Sequence, residues 1–444
     1  MQTEVAIVGA GSIGISIAYY LKRLNPAIDV VLIDSHQPMT LTSASSGENF
    51  RNWWPHPVLK NFFDHSLDLL DQLDRQLHGT AVTSRRGYLL ASREDQPADL
   101  IAGLQSTFAA DELRAHQSIE GYRQALDTDQ SGVDIVNSAA LVRSLYPGFD
   151  SSISSVYHIR RGGILDAQHI AEHMLGDFRR AGGKVLTAKV SGVQSGSSFE
   201  LTLDGAETET QVKTSTLVNA AGPYAETMSA QLGIDLPLIN VLQQKVAFED
   251  SAGVIDRSLP FCIDLDPALL SWSDDERAAI ADDPEYAPYT ELMPGSIHCR
   301  PEGPKSGSWV KLGWAFNQTP GEPSREPTLD PVFPEIAVRG ASRLQPGLAR
   351  YLSGFPGGVS HYGGYYTMTD ENWPLIGKTP TEGYFLATAM SGFGSMGALA
   401  TGELLGNQIL GNDTPDWFQD LGLVRYKKPG LMDEIRALND KGLL

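Results

Sequence analysis

The chain has 444 residues and a formal net charge of -20, long enough for two cores, or for one large domain with a second threaded through it. That charge, with a pI near 4.8, argues against nucleic-acid partners and insertion at anionic membranes, because binding phosphates requires positive charge to replace the condensed counterions. The two cysteines, Cys262 and Cys299, follow neither a disulfide framework nor a C-x-x-C zinc pattern, so ordinary buried thiols and a reducing, cytoplasmic compartment are expected.

Residues 5–21, VAIVGAGSIGISIAYYL, carry no charge. A membrane span needs about 20 apolar residues and a signal peptide needs a basic leader, whereas this run is shorter, is broken by glycines and follows Met1 to Glu4, where no base occurs. No targeting segment is expected. Residues 5–8 read as a short strand and 12–24 as a helix, so Gly9, Gly11, Ser12, Ile13 and Gly14 form a strand-to-helix turn. The first glycine permits the turn, the second lets backbone approach a pyrophosphate, and the third lets helix pack on strand. A second strand at 30–33 ends at Asp34, beside Ser35, where a carboxylate can accept ribose hydroxyls. The pattern predicts dinucleotide binding and leaves NAD and FAD both open.

Next, residues 43–51, SASSGENFR, form a loop rich in small hydroxyls, whose backbone N–H groups can meet phosphate or ring atoms. Trp53 and Trp54 follow. Residues 58–77 predict an amphipathic helix burying Leu59, Phe62, Phe63, Leu67, Leu70 and Leu73. A strand is expected within 82–91, then mostly helix and loop over 95–149. The stretch 160–170 reads as a strand entering a helix capped by Asp166. Strands resume at Lys184 and one ends at Ala220, Ala221 and Gly222, whose small size suits either close cofactor approach or close packing. Residues 241–367 have antiparallel character, interrupted at 266–290 by an acidic insert whose Asp274, Asp275 and Glu276 read as a solvated helix face. The segment 383–410 returns to strand, glycine turn and helix.

With that second glycine turn, six ordered motifs stand along the chain: the opening turn with Asp34, SSGENFR, LVNAAGPYA at 217–225, WVKLGWA at 309–315, YYTMTDENWPLIG at 365–377 and SGFGSMG at 391–397. Together they resemble the FAD-dependent amine oxidoreductases of the D-amino-acid oxidase type, most closely the monomeric sarcosine oxidase branch. The resemblance implies an α/β plus α+β fold, a Rossmann-like FAD-binding domain (1–80, 150–225, 365–430) interleaved with an antiparallel-sheet substrate domain (81–149, 226–364). It implies FAD contacts from the opening turn, Asp34, Ser35, Ser45, Ser46, Asn49, Phe50, Val190, Ala221, Gly222, Gly364, Gly392, Gly394, Ser395 and Met396. It also implies a catalytic lysine, Lys311, near the flavin N5, where a cation promotes electron transfer to oxygen, and an active-site tyrosine, Tyr366. An edge lysine reaching solvent and a core tyrosine are the alternatives.

The departures carry equal weight. The cysteine that joins the flavin covalently in that branch is replaced by Gly364, so noncovalent FAD is expected. A histidine four residues after the lysine is replaced by Ala315, the carboxylate-pairing lysine by Met396, and the loop arginines are reduced to Arg51 in a shifted register. A sarcosine-like zwitterion is then poorly provided for. His361, Tyr362, Arg300, Trp53 and Trp54 are candidates to complete the site, against the alternatives of a structural histidine and of tryptophans in the core. An aromatic wall suits an amine cation. The expected reaction is oxidation of a C–N bond of a secondary or tertiary amine or amino-acid derivative to an imine, with oxygen or another acceptor taking the electrons. A dehydrogenase, or oxidation of a hydroxy acid or larger metabolite, is the alternative.

Overall fold

The computed structural model describes residues 1–128, 131–205 and 210–438. Its first sheet is built around Gln2–Val8, which is apolar along its buried stretch and pairs in parallel with Val30–Asp34 on one side and Gln211–Asn219 on the other. Lys184–Thr187 extends this parallel set beyond Val30–Asp34, and Tyr384–Thr388 joins beside Leu217 to Asn219. Near-continuous apolar runs such as VVLI suit strands buried on both faces. Helices Ser12–Leu24, Pro57–Gln76, Ala167–Arg180 and Gly394–Leu410 contribute to one of the clusters packed on this sheet.

The first and last of these helices cross at Ser16 and Gly402. A β-carbon on Gly402 would stand 2.3 Å from the Ser16 hydroxyl oxygen, so the glycine permits a crossing that any side chain would spread. The same crossing brings both helix N-termini, near Ser12 and Gly394, to one cavity.

The second sheet has nine strands in the order Val359–Met368, Ile239–Glu249, Trp309–Gly313, Ile297–Pro301, Phe261–Asp264, Tyr88–Ser92, Ser155–Ile159, Val133–Val136 and Leu113–Ala115. Strand alternation divides it into two chemically distinct faces. Val246, Phe248, Val310, Leu312, Ile297, Cys299 and Cys262 pack with helix Phe333–Ala341 in one core. Gln243, Lys245, Lys311, His298, Arg300, Phe261 and Tyr88 alternate with them and occupy the opposite face. A small sheet of Asn49–Arg51, Gly162–Leu165 and Val82–Ser84 lies at the junction.

Several sequence expectations shift. The span 95–149 contains two strands, Leu113–Ala115 and Val133–Val136, which escape a pattern reading because strands this short carry too few residues for a clear alternation. Ser155–Ile159 belongs to the nine-stranded sheet although the boundary was expected at 150, and Val359–Met368 runs through the boundary expected at 365. The chain changes sheets between consecutive strands, where composition does not change. Helix Asp274–Ala281 is exposed as expected, capped by Ser273 and Glu276. Asp166 caps Ala167–Arg180 by accepting from the His169 amide.

Candidate active site

The opening turn forms one end of a cavity of about 600 Å³ lined by Gly9, Gly11, Asp34, Ser35, Val190, Ala221 and Gly222. Gly9 has φ of +108°, and a β-carbon there would lie 2.1 Å from the Ala220 carbonyl oxygen, so glycine is required on both counts. Gly14 packs the helix against the turn and does not line the cavity. The Asp34 carboxylate accepts from the Ala10 amide at 2.6 Å and the His36 amide at 2.9 Å. Held this way, each oxygen keeps a lone pair for a ribose hydroxyl.

Thr42, Ser43, Ala220, Gly222 and Pro223 continue into a narrower cavity of about 110 Å³. Its walls include Ser12, Ile13, Ser45, Ser46, Lys245, Gly364, Tyr366, Gly392, Gly394 and Ser395. Ser46 and Ser395 are joined hydroxyl to hydroxyl at 2.8 Å, and Ser45 donates to the Gly363 carbonyl at 2.7 Å. These bonds pin the hydroxyl loop to the closing glycine turn and to the antiparallel sheet. In the closing segment, Ala389 and Ser391 both have positive φ, a strained backbone of the kind that concentrates at ligand sites. Asn49 and Phe50 do not line this cavity: Phe50 joins the main core, and Asn49 is buried with its side-chain oxygen lacking a hydrogen-bond partner. Met396 lies in a small apolar gap between helices, its carbonyl accepting from Ser66.

Beyond Lys245, the same sheet face holds a buried group of charges. One oxygen of Glu302 pairs with both Arg300, at 2.9 Å, and Lys311, at 3.0 Å. Arg300 also donates to the Gly47 carbonyl at 3.0 Å. Burial, reinforced by the Arg300 charge, lowers the Lys311 pKa to about 8 despite the pull of Glu302. Glu48 stands near them with a positive φ, its carboxyl raised above the usual range by burial. Tyr362 lies under Lys311, 6.0 Å from the ammonium, and its hydroxyl is raised strongly by desolvation.

Arg51 enters from the small sheet into an aromatic cage, its guanidinium 4.7 Å from the Trp54 ring, 5.4 Å from Tyr88 and 5.8 Å from Trp53. Both tryptophans are fully buried and also serve the core, as Trp53 bonds Thr107 and Trp54 stacks on Phe63. His361 does not join this group. Alternation turns it to the helix side, where it stacks on Phe333 and meets Gln244 at 2.9 Å. Lys311 belongs to the charged group and does not line the narrow cavity; the lysine that does is Lys245. Lys245, Glu48 and Glu302 escaped the sequence reading, although a charge inside the apolar strand pattern VLQQKVAF was a usable signal.

The shape therefore defines a dinucleotide-binding protein in which a mixed, mostly antiparallel sheet closes one end of the cofactor's cavity. The required glycine at position 9, the poised Asp34 and the continuous adenine-to-ring cavity fit FAD. The chain belongs to the FAD dependent oxidoreductase family, DAO, whose profile matches residues 4–408. It is therefore a FAD-dependent oxidoreductase. Among solved structures it is similar to L-proline dehydrogenase from P. horikoshii, at 16% identity and a TM-score of 0.71 over 96% of this chain and 98% of that one. Glycine oxidase from Geobacillus kaustophilus gives 16% and 0.70 over 96% and 99%. Iminodiacetate oxidase from Chelativorans sp. BNC1 gives 16% and 0.66 over 93% and 97%. Comparison with curated proteins gave no match. No helix among the described residues is long and apolar enough to cross a membrane.

Proposed function

We propose that the enzyme oxidises the C–N bond of an amino-acid derivative with a secondary or tertiary amine to an imine, with oxygen as acceptor. The observation that carries this reading is the sheet face on which Arg300, Lys311 and Tyr362 stand next to Lys245 of the narrow cavity. Arg300 offers a guanidinium to a carboxylate, supplying a partner in place of those missing at Met396 and in the hydroxyl loop. Tyr362, half-buried beneath Lys311, is the aromatic surface available to the substrate, since the rings of the cage are filled by Arg51 itself. Similarity to the structures of iminodiacetate oxidase and L-proline dehydrogenase, both named for secondary amino acids, supports the same substrate class. The ordered motifs support placement near the monomeric sarcosine oxidase branch.

Bound FAD supplies the two-electron acceptor for the substrate C–H bond. The opening turn and Asp34 would hold its adenine end, and Ser45, Ser46, Gly364, Gly392 and Ser395 would line the cavity for its ring. The narrow cavity's walls contain neither Cys nor His, which favours noncovalent FAD. Tyr366 and Lys245 form the wall beside the sheet, and the closely packed charged group excludes bulk water from the reacting carbon. Lys311 keeps a positive charge at neutral pH that favours electron transfer to oxygen. Cys262 and Cys299, opposite one another in register and both free thiols, suit the cytoplasm.

The test is a panel of amines, N-substituted amino acids and hydroxy acids, supplied to the purified yellow protein with separate peroxide and dye readouts. Peroxide formation with N-substituted amino acids is the expected result. Dye reduction without peroxide would establish the dehydrogenase alternative, and turnover restricted to hydroxy acids would overturn the C–N reading.

A further inference from the structure

Three cations of the flavin-facing region have evident companions: Arg300 and Lys311 share Glu302, and Arg51 lies in its aromatic cage. Lys245 differs. It is 3% exposed, and its ammonium donates to the Ser45 carbonyl at 3.2 Å and lies 5.2 Å from the Tyr366 ring. Among the described residues no carboxylate pairs with it. An ammonium buried without a counter-charge is unfavourable unless something else in the site meets it. The side chain lines the narrow cavity between Ser45, Gly364 and Tyr366, so whatever occupies that cavity meets the charge.

We infer that Lys245 is a flavin-tuning residue, the fixed cation that stabilises the reduced ring and raises its reduction potential. A hydride leaving the substrate carbon carries two electrons and one proton to the ring, and leaves the substrate with one added positive charge as an iminium. The ring gains one negative charge. A cation held in place before the reaction stabilises that charge without reorganising solvent. Lys311 is less suited to this task, since Glu302 already offsets its charge. The inference requires bound FAD and is independent of the substrate class proposed above.

Sulfite supplies a substrate-free probe: it donates an electron pair to the oxidised ring, forms an S–N bond and leaves the same negative charge on the ring. In the FAD-loaded protein, Lys245→Met and Lys245→Gln are expected to weaken sulfite binding by about tenfold or more. A tenfold shift of the two-electron reduction equilibrium corresponds to about 30 mV, toward more negative potential. Lys245→Arg, which keeps the charge, is expected to restore much of both properties. Unchanged sulfite affinity and potential in the Met and Gln variants would overturn the inference. So would an Arg variant as impaired as Met, or an effect produced by Lys311→Met alone. If Lys245 only braces the Ser45 turn, the variants lose FAD while the FAD-bound fraction keeps the parent potential, and that outcome also overturns it. Failure of the amine panel would leave these readouts intact, so the two proposals fail separately.

Discussion

Glu302 holds two cations on one oxygen, yet at Lys311 burial and the Arg300 charge outweigh its pull. A lysine in water keeps its proton to about pH 10, whereas Lys311, buried and facing Arg300, loses it near pH 8. Its positive charge is therefore present at neutral pH and disappears as pH rises through about 8. If Lys311 acts on oxygen, reoxidation of the reduced enzyme by oxygen should slow across that window. Lys311→Met should be slower by about 10²-fold at pH 7, with the pH dependence near 8 abolished, while reduction by substrate changes far less. Stopped-flow traces of the two half-reactions separate these outcomes; unchanged reoxidation would remove Lys311 from that role.

The opening turn shows how much an element depends on one missing side chain. In Gly9→Ala the new methyl group meets the Ala220 carbonyl at 2.1 Å and the backbone remains at φ of +108°. The strained backbone alone costs about 1–3 kcal/mol, and the collision forces the first strand away from its partner at the cavity. Gly182→Ala, at φ of +83° with nothing within 4 Å, carries the backbone cost without the collision. Thermal unfolding of the apoproteins should therefore rank parent above Gly182→Ala above Gly9→Ala, and only Gly9→Ala should release FAD readily. Equal FAD retention in the two variants would mean that the close approach does not position the cofactor. At the same scale, Trp53 and Trp54, in the loop after strand Asn49–Arg51, cage Arg51 while holding the core, so their replacement affects stability and site together.

Over the whole molecule, the nine-stranded sheet joins a charged face to a hydrophobic core, and two buried histidines link it to pH. His298 has its pKa lowered to about 3 and His158 to about 4, in both cases chiefly by desolvation. The folded protein keeps both neutral, whereas the unfolded chain protonates them below about pH 6.5. Stability should thus fall as pH drops from 6.5 toward these folded values, by about 1.4 kcal/mol per pH unit for each site. Urea unfolding at pH 7 and pH 5 should show a smaller difference in His158→Gln than in the parent. An identical difference would assign the acid sensitivity to carboxylates.

The sequence alone determined the local devices. The glycine turn with Asp34, the amphipathic helix burying Phe62 and Phe63, and the Asp166 cap are all set by neighbours within a few turns of chain, where spacing reports geometry directly. It also located both glycine turns, whose residues meet at one cavity. Only the tertiary structure decided which sheet face each strand residue occupies, which sheet claims Ser155–Ile159, and which cations share Glu302. His361 and Tyr362 are adjacent in sequence yet face opposite sides, and Lys245 reaches the ring cavity while Lys311 turns to Glu302. Register across strands far apart in sequence makes those choices, because a strand shifted by one residue exchanges its buried and cavity-facing side chains.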